Sequence, residues 1–189
     1  MIILLVGQKG SGKTTVAMNL AKRLVQAGIL VGGVICPGIY EQNRKTGIKI
    51  HYPASGHEKL LGMERSSVGK PAPETTGPDT FSYGRWEFRR SALAAADASI
   101  LKDIGTSPFV FVDEIGPLEL DHGIGMSQTL ARLDADKDIN NCAILVCARQ
   151  DLVQALTARW PGSSLVELTG EGPAAILRAE ETILTAVGV

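Results

Sequence analysis

The run Gly7-Gln8-Lys9-Gly10-Ser11-Gly12-Lys13-Thr14-Thr15 carries the densest chemistry in the chain. A glycine, four residues and then Gly12-Lys13-Thr14 is a phosphate-binding spacing, in which glycines let successive backbone N–H groups turn inward on one concave anion site. Lys13 then reaches the terminal phosphates. The Thr14 hydroxyl stands where Mg²⁺, a hard cation that keeps several waters, needs a protein oxygen. Two related patterns fail. A dinucleotide fingerprint needs a third glycine three residues after the second, but Thr15 stands at that position. The ATPases with a second signature lysine place it five residues before the loop lysine, which here is Gln8. Lys9 is off by one and reads either as an auxiliary charge near the phosphates or as a solvated side chain.

A second constellation is Asp113-Glu114, directly after the apolar run Phe109-Val110-Phe111-Val112. In doubly wound sheets ligands gather outside the carboxyl ends of the strands. The phosphate loop after Ile2–Val6 and the carboxylates after Val112 are therefore expected at one rim. Asp113 alone would be an acidic turn after a core strand; beside a phosphate loop it fits the Walker B role, ordering the Mg²⁺ water shell.

The elements that must position these residues are legible in part. Val16, Ala17, Leu20, Ala21, Leu24 and Val25 recur at helical spacing up to Gly28. Leu30–Ile35 then closes a strand-helix-strand crossover. Thr46–Tyr52 alternates, predicting a hairpin strand at the sheet edge. The stretch 53–78, with Pro53, Pro71, Pro73 and Pro78, is expected as loops with a brief strand or turn at best. Residues 38–86 as a whole are expected to form an irregular insert or lid within a single domain over 1–189. Phe81 to Trp86 concentrates aromatics and reads as core beneath a following helix, 87–104, with a nucleobase platform as the alternative. A helix over 126–133, a strand over 142–148, a helix over 151–158, a strand over 165–168 and a last helix opening at Gly172-Pro173 complete the pattern. In that last helix Glu180 is the one acidic member of an apolar face.

A chain of 189 residues with 44% hydrophobic residues suits one domain with a substantial core. Its net charge of −1 comes without a basic block, so neither nucleic acid nor an anionic membrane is expected as an obligatory partner. No apolar run approaches the roughly 20 residues of a membrane span. The phosphate loop follows Met1 too closely for a signal peptide, and a cytoplasmic location is expected. Three cysteines make no disulfide framework. Cys142 and Cys147 should face opposite sides of one strand as small buried hydrophobes.

With both motifs in place the chain resembles the THEP1-type P-loop nucleoside triphosphatases, the group that includes the human cancer-related nucleoside triphosphatase. The resemblance rests on Gly7–Thr15, on Gly32-Gly33-Val34 with Thr46-Gly47-Ile48-Lys49-Ile50, and on Asp113-Glu114-Ile115-Gly116-Pro117-Leu118-Glu119-Leu120. It implies a RecA-like α/β fold, a mostly parallel sheet with helices on both faces and an edge hairpin. It also implies Mg²⁺-dependent hydrolysis of ATP, GTP and other nucleoside triphosphates with weak base selectivity. Phosphoryl transfer is mostly positioning and charge stabilisation. Lys13 would neutralise phosphates, Thr14 and Asp113 would serve the metal, and Glu114 would polarise the attacking water. Arg149, after the 142–148 strand, is the first candidate for an opposing cation, followed by Arg44 and Arg85. His51, His57 and His122 are isolated and take no role. Two other readings share the loop: a small nucleotide or metabolite kinase that excludes water with an arginine-bearing lid, and a nucleotide-binding assembly protein resembling the MobB type. A binding switch does not require the second carboxylate, which favours hydrolysis. The oligomeric state is left open.

Overall fold

In a computed structural model the described residues are 1–65, 73–135, 142–170 and 172–189. The chain runs β1 (Ile2–Gly7), α1 (Lys13–Gln26), β2 (Val31–Val34), β3 (Gly38–Glu41), β4 (Arg44–His51), β5 (Glu58–Glu64), β6 (Glu74–Thr75), β7 (Thr80–Tyr83) and β8 (Trp86–Arg89). It continues with α2 (Arg90–Asp103), β9 (Phe109–Ile115), α3 (Pro117–Leu120), α4 (Ser127–Ala135), β10 (Ala143–Arg149), α5 (Val153–Arg159), β11 (Ser164–Glu167) and α6 (Pro173–Val187).

Five strands form a parallel sheet in the order β11-β1-β10-β9-β2. Its central strands are apolar on both faces because each face has its own core. Ile3, Leu5, Phe111 and Leu145 pack with α1 and α6, while Leu4, Val6, Val112 and Val146 pack with α2, α4 and α5. Cys142 and Cys147 fall in these two different cores, as their odd spacing requires. Glu180 is buried at the α1–α6 contact, where Asn19 and Arg23 donate to its carboxylate. The two donors offset part of the desolvation that a buried carboxylate suffers.

The hairpin expected over 46–52 exists, as β3 and β4, but it belongs to a second sheet. Six antiparallel strands run β3-β4-β5-β8-β7-β6. Gln42 and Asn43, with φ of 48° and 63°, make the two-residue turn that such a hairpin requires. One bridge, Ile35 with His51, stitches this sheet to the end of β2. Ile50, Leu61, Phe81 and Phe88 complete the core shared with α2.

Two expectations are corrected. The stretch 38–86 is strand-rich in its described part, because alternate residues bury one face against α2. Its residues 66–72, including Pro71, lie outside the described residues. The helix expected from residue 87 starts at Arg90, since Phe88 pairs with Phe81 and Gly62 across the sheet. The aromatic run divides: Phe81 is core, while Tyr83 and Trp86 are half-buried. No described helix is long and apolar enough to cross a membrane.

Candidate active site

The register of the parallel sheet sets the geometry. Gly7 pairs with Arg149 and Cys147 with Asp113, so the ends of β1, β10 and β9 reach one rim together. At that rim β9 bulges: Ala148 pairs with Ile115, skipping Glu114. A bulge re-aims a side chain that regular alternation would turn away. Asp113 and Glu114, joined by a cis peptide, line one cavity of about 880 Å³ with Lys13 and Thr14.

The loop from Gly7 to Thr15 joins the end of β1 to the start of α1. Gly12 adopts φ 104° at the start of α1, and no side chain caps that helix. Its first N–H groups are left for an anion, with the helix dipole aligned to favour one. Lys13 is buried and donates to Gly7 O at 2.9 Å and Gln8 O at 3.0 Å. The Ser11 hydroxyl is buried without a hydrogen-bond partner among the described residues. Gly10, Gly12, Thr14 and Thr15 line the same cavity, and exposed Lys9 stands at its edge, beside Gln8 and Arg149 in an adjoining hollow.

Asp113 is 2% exposed. Burial raises its pKa, and the repulsion of Glu114 adds to that. Three groups oppose the rise: the Cys36 N–H, donating at 3.0 Å, the Thr14 hydroxyl and the Lys13 charge. A carboxylate so placed, against a threonine hydroxyl, is an oxygen donor set that a cation would relieve of its desolvation. The Cys36 and Cys147 thiols are pushed well up by burial and then by Asp113.

Arg149 donates to Glu114 at 3.3 Å in a half-exposed pair. Arg44 and Arg85, the other two arginine candidates, share Glu64 at 2.8 Å and 3.4 Å. Arg85 lies over the Trp86 ring at 4.7 Å and lines the cavity, whereas Arg44 points away to solvent at 70% side-chain exposure. The three histidines stand apart from the rim carboxylates: His57 stacks on Tyr52, His51 approaches Glu58, and His122 meets Tyr83 edge-on.

Two further groups border the rim: Glu119, which the sequence offers as a base in reserve should Glu114 serve the metal, and Lys45, which it gives no role. Glu119 is buried beneath the rim, where its carboxylate accepts from Gly116 N at 2.9 Å and Met126 N at 3.3 Å. It ties the segment after Glu114 to the start of α4. Burial raises its pKa to about 7 against those two N–H groups. Its place in the Asp113–Leu120 octet was the available sign. Lys45 also lines the cavity, and nothing local marks it, since a hairpin lysine is ordinarily solvated.

A sequence profile of the family described as NTPase matches residues 2–169. The nucleoside-triphosphatase THEP1 of Methanopyrus kandleri is 35% identical over 118 residues, 62% of this chain and 59% of that protein. The nucleoside-triphosphatase THEP1 of Thermofilum pendens is 32% identical over 137 residues, 72% of this chain and 69% of that protein. The first of these matches spans less than two thirds of the relative's length. Among solved structures, THEP1 from the hyperthermophile Aquifex aeolicus superposes with a TM-score of 0.65 at 22% identity, covering 100% of both chains. A human cancer-related nucleoside triphosphatase gives 0.64 at 18% identity, covering 97% of this chain and 96% of that one. At these identities the likeness is one of fold.

Proposed function

This chain belongs to the NTPase family, and we propose that it hydrolyses nucleoside 5′-triphosphates, ATP and GTP among them, to diphosphate and phosphate, with Mg²⁺ and weak preference for the base. One observation carries the reading: Lys13, Thr14, Asp113 and Glu114, from two motifs about a hundred residues apart in sequence, line a single cavity. Residues 1–189 act as one nucleotide-binding domain in this reading, with 38–86 forming part of the cover.

The donor chemistry suits Mg²⁺. Thr14 and Asp113 offer oxygen only, and no cluster of three or more His, Cys, Asp or Glu among the described residues could cage a metal alone. Mg²⁺ takes few protein ligands and completes its shell with water and phosphate oxygens. Thr14 would hold it directly and Asp113 through its water shell; when bound it would neutralise charge on the phosphates.

The loop N–H groups of Gly7–Thr15, with Gln8, Lys9, Gly10, Ser11 and Gly12 between, hold the phosphates in line. Lys13 exchanges its two carbonyl partners for phosphate oxygens. Glu114 takes the proton of the attacking water, so that hydroxide character develops only as the phosphorus–oxygen bond to the diphosphate breaks. Arg149, donating to its carboxylate, orients Glu114 at the rim.

Phosphate release by the purified protein across ATP, GTP, CTP and UTP, with and without Mg²⁺ and with small hydroxyl acceptors, tests the reading. Release from all four, dependent on the metal and indifferent to acceptors, is expected. Transfer to an added acceptor in place of release would overturn it in favour of a kinase. Glu114→Gln should bind triphosphate at near-parental affinity while single-turnover hydrolysis falls by roughly 10² to 10⁴. Asp113→Asn should lose metal-dependent binding as well. Hydrolysis at the parental rate by Glu114→Gln would remove Glu114 as the base.

A further inference from the structure

The cations around the cavity are not equivalently engaged. Lys13 rests on two loop carbonyls, Arg149 pairs with Glu114, Arg85 pairs with Glu64, and Lys9 and Lys22 are exposed to solvent. Lys45 makes no hydrogen bond or ion pair with any described residue, yet it is half-buried and lines the cavity with Lys13, Asp113 and Glu114. Its direction is built into the hairpin. A register shift between Ile39 and Tyr40 sets Lys45 opposite Tyr40 on β3. Its stem crosses Gly38, where an added Cβ would come within 2.6 Å of the Tyr40 ring and 2.9 Å of the lysine Cε. Its ammonium lies 5.7 Å from the centre of the Trp86 ring. Burial holds its pKa below the usual lysine value, while Asp113 and Glu114 push the other way. A cation stripped of part of its water, with no counter-ion of its own, gains the most when an anion arrives.

We infer that Lys45 is the cation that the antiparallel sheet contributes to the terminal phosphate of a bound nucleoside triphosphate, together with Lys13 from the loop. This rests on the triphosphatase reading and names a catalytic residue within it. Water adds to the γ-phosphorus as the bond to the β–γ bridging oxygen breaks; the proton goes to Glu114, and the products are diphosphate and inorganic phosphate. Charge on the γ-oxygens and the bridging oxygen is then met from two elements, the loop and the hairpin. A diphosphate lacks the group that Lys45 touches, so Lys45 also distinguishes substrate from product. Gly38 is the positioning residue that lets the stem pass.

The test compares Lys45→Met, Lys45→Arg and Gly38→Ala in the full chain, with kcat for ATP and with Kd for ADP and for β,γ-methylene ATP, each with Mg²⁺. For Lys45→Met, kcat should fall about 10²-fold. The analogue should bind about tenfold more weakly while ADP is unchanged. Lys45→Arg keeps the charge and should recover most of the loss. Gly38→Ala keeps the charge but displaces the stem, and should lie between the parent and Lys45→Met. Parental kcat in Lys45→Met, or equal weakening of ADP and the analogue, overturns the role of Lys45. A parent that releases phosphate from no nucleotide overturns the triphosphatase reading instead; the ratio of the two dissociation constants in Lys45→Met still decides whether Lys45 meets a terminal phosphate.

Discussion

The parallel and antiparallel sheets meet at one cavity but are held there by different means. In the parallel sheet Leu4, Leu5, Val110, Phe111, Ile144 and Leu145 are fully buried. The middle of each central strand is therefore fixed by apolar burial on one face or the other. In the antiparallel sheet Tyr40 is 64% and Met63 41% exposed, and one face alone is packed, on α2. The first sheet presents backbone N–H groups and a lysine whose loop leaves it no other place. The second presents Lys45, Arg85 and Trp86, side chains whose identity the packing does not dictate. The loop wall of the cavity is thereby tied to the fold, while the other wall can change by single substitutions.

The sharpest way to break this contrast is Lys13→Ala. Its hydrogen bonds go only to loop carbonyls, so the fold should survive, while hydrolysis falls roughly 10³-fold or more, measured as phosphate release. Turnover near the parental rate would mean that the antiparallel sheet supplies sufficient charge alone.

Glycine substitutions separate the sheets by stability. At Gly33 in β2, with φ of 80°, an added Cβ would sit 2.0 Å from the Phe111 carbonyl oxygen. Gly33→Ala should therefore cost about 3 kcal/mol or more, through overpacking and left-handed backbone together. Gly84, in the β7–β8 turn with φ of 57°, has nothing within 4 Å of its would-be Cβ. Gly84→Asn, which tolerates that backbone, should change stability by no more than about 1 kcal/mol. Urea unfolding of both variants checks this; equal losses would remove the distinction.

The effect spread most thinly over conditions concerns Glu119, whose pKa rises from 4.5 to about 7 on folding. Between those values the folded chain holds a proton that the unfolded chain has released. Stability from this group is thus greatest below about pH 4.5, falls as pH rises through the window, and is flat above about pH 7. The span corresponds to about 3 kcal/mol at most. Glu119→Gln should flatten the profile in urea unfolding between pH 5 and 8, and an unchanged slope would assign the effect to Asp113, whose pKa moves in the same direction.

Where sequence reading succeeded, the information was local. The loop Gly7–Thr15, the crossover through α1 and the run ending at Asp113-Glu114 are spacings and periods that act over a few residues. Where it failed, the deciding contacts were distant. Glu58–Glu64 carries only Leu60, Leu61 and Met63 among polar neighbours, and becomes a strand because β4 and β8 flank it. Arg90 opens α2 three residues late because Phe88 is claimed by Phe81 and Gly62. Asp97, an acidic residue on a helix face, receives the N–H groups of Gln128 and Thr129 and so anchors the start of α4 across 31 and 32 residues of sequence.

The sequence by itself determined the glycine loop Gly7–Thr15, the two carboxylates and the parallel strands behind them, because backbone hydrogen bonding and side-chain period are properties of contiguous residues. Only the tertiary structure decided that Glu114 turns to the same cavity as Asp113, that Arg44 and Arg85 are occupied by Glu64, and that Lys45 points inward. Each of these depends on a bulge, a counter-ion or a glycine on another strand, and a side chain acquires its direction only when such neighbours close around it.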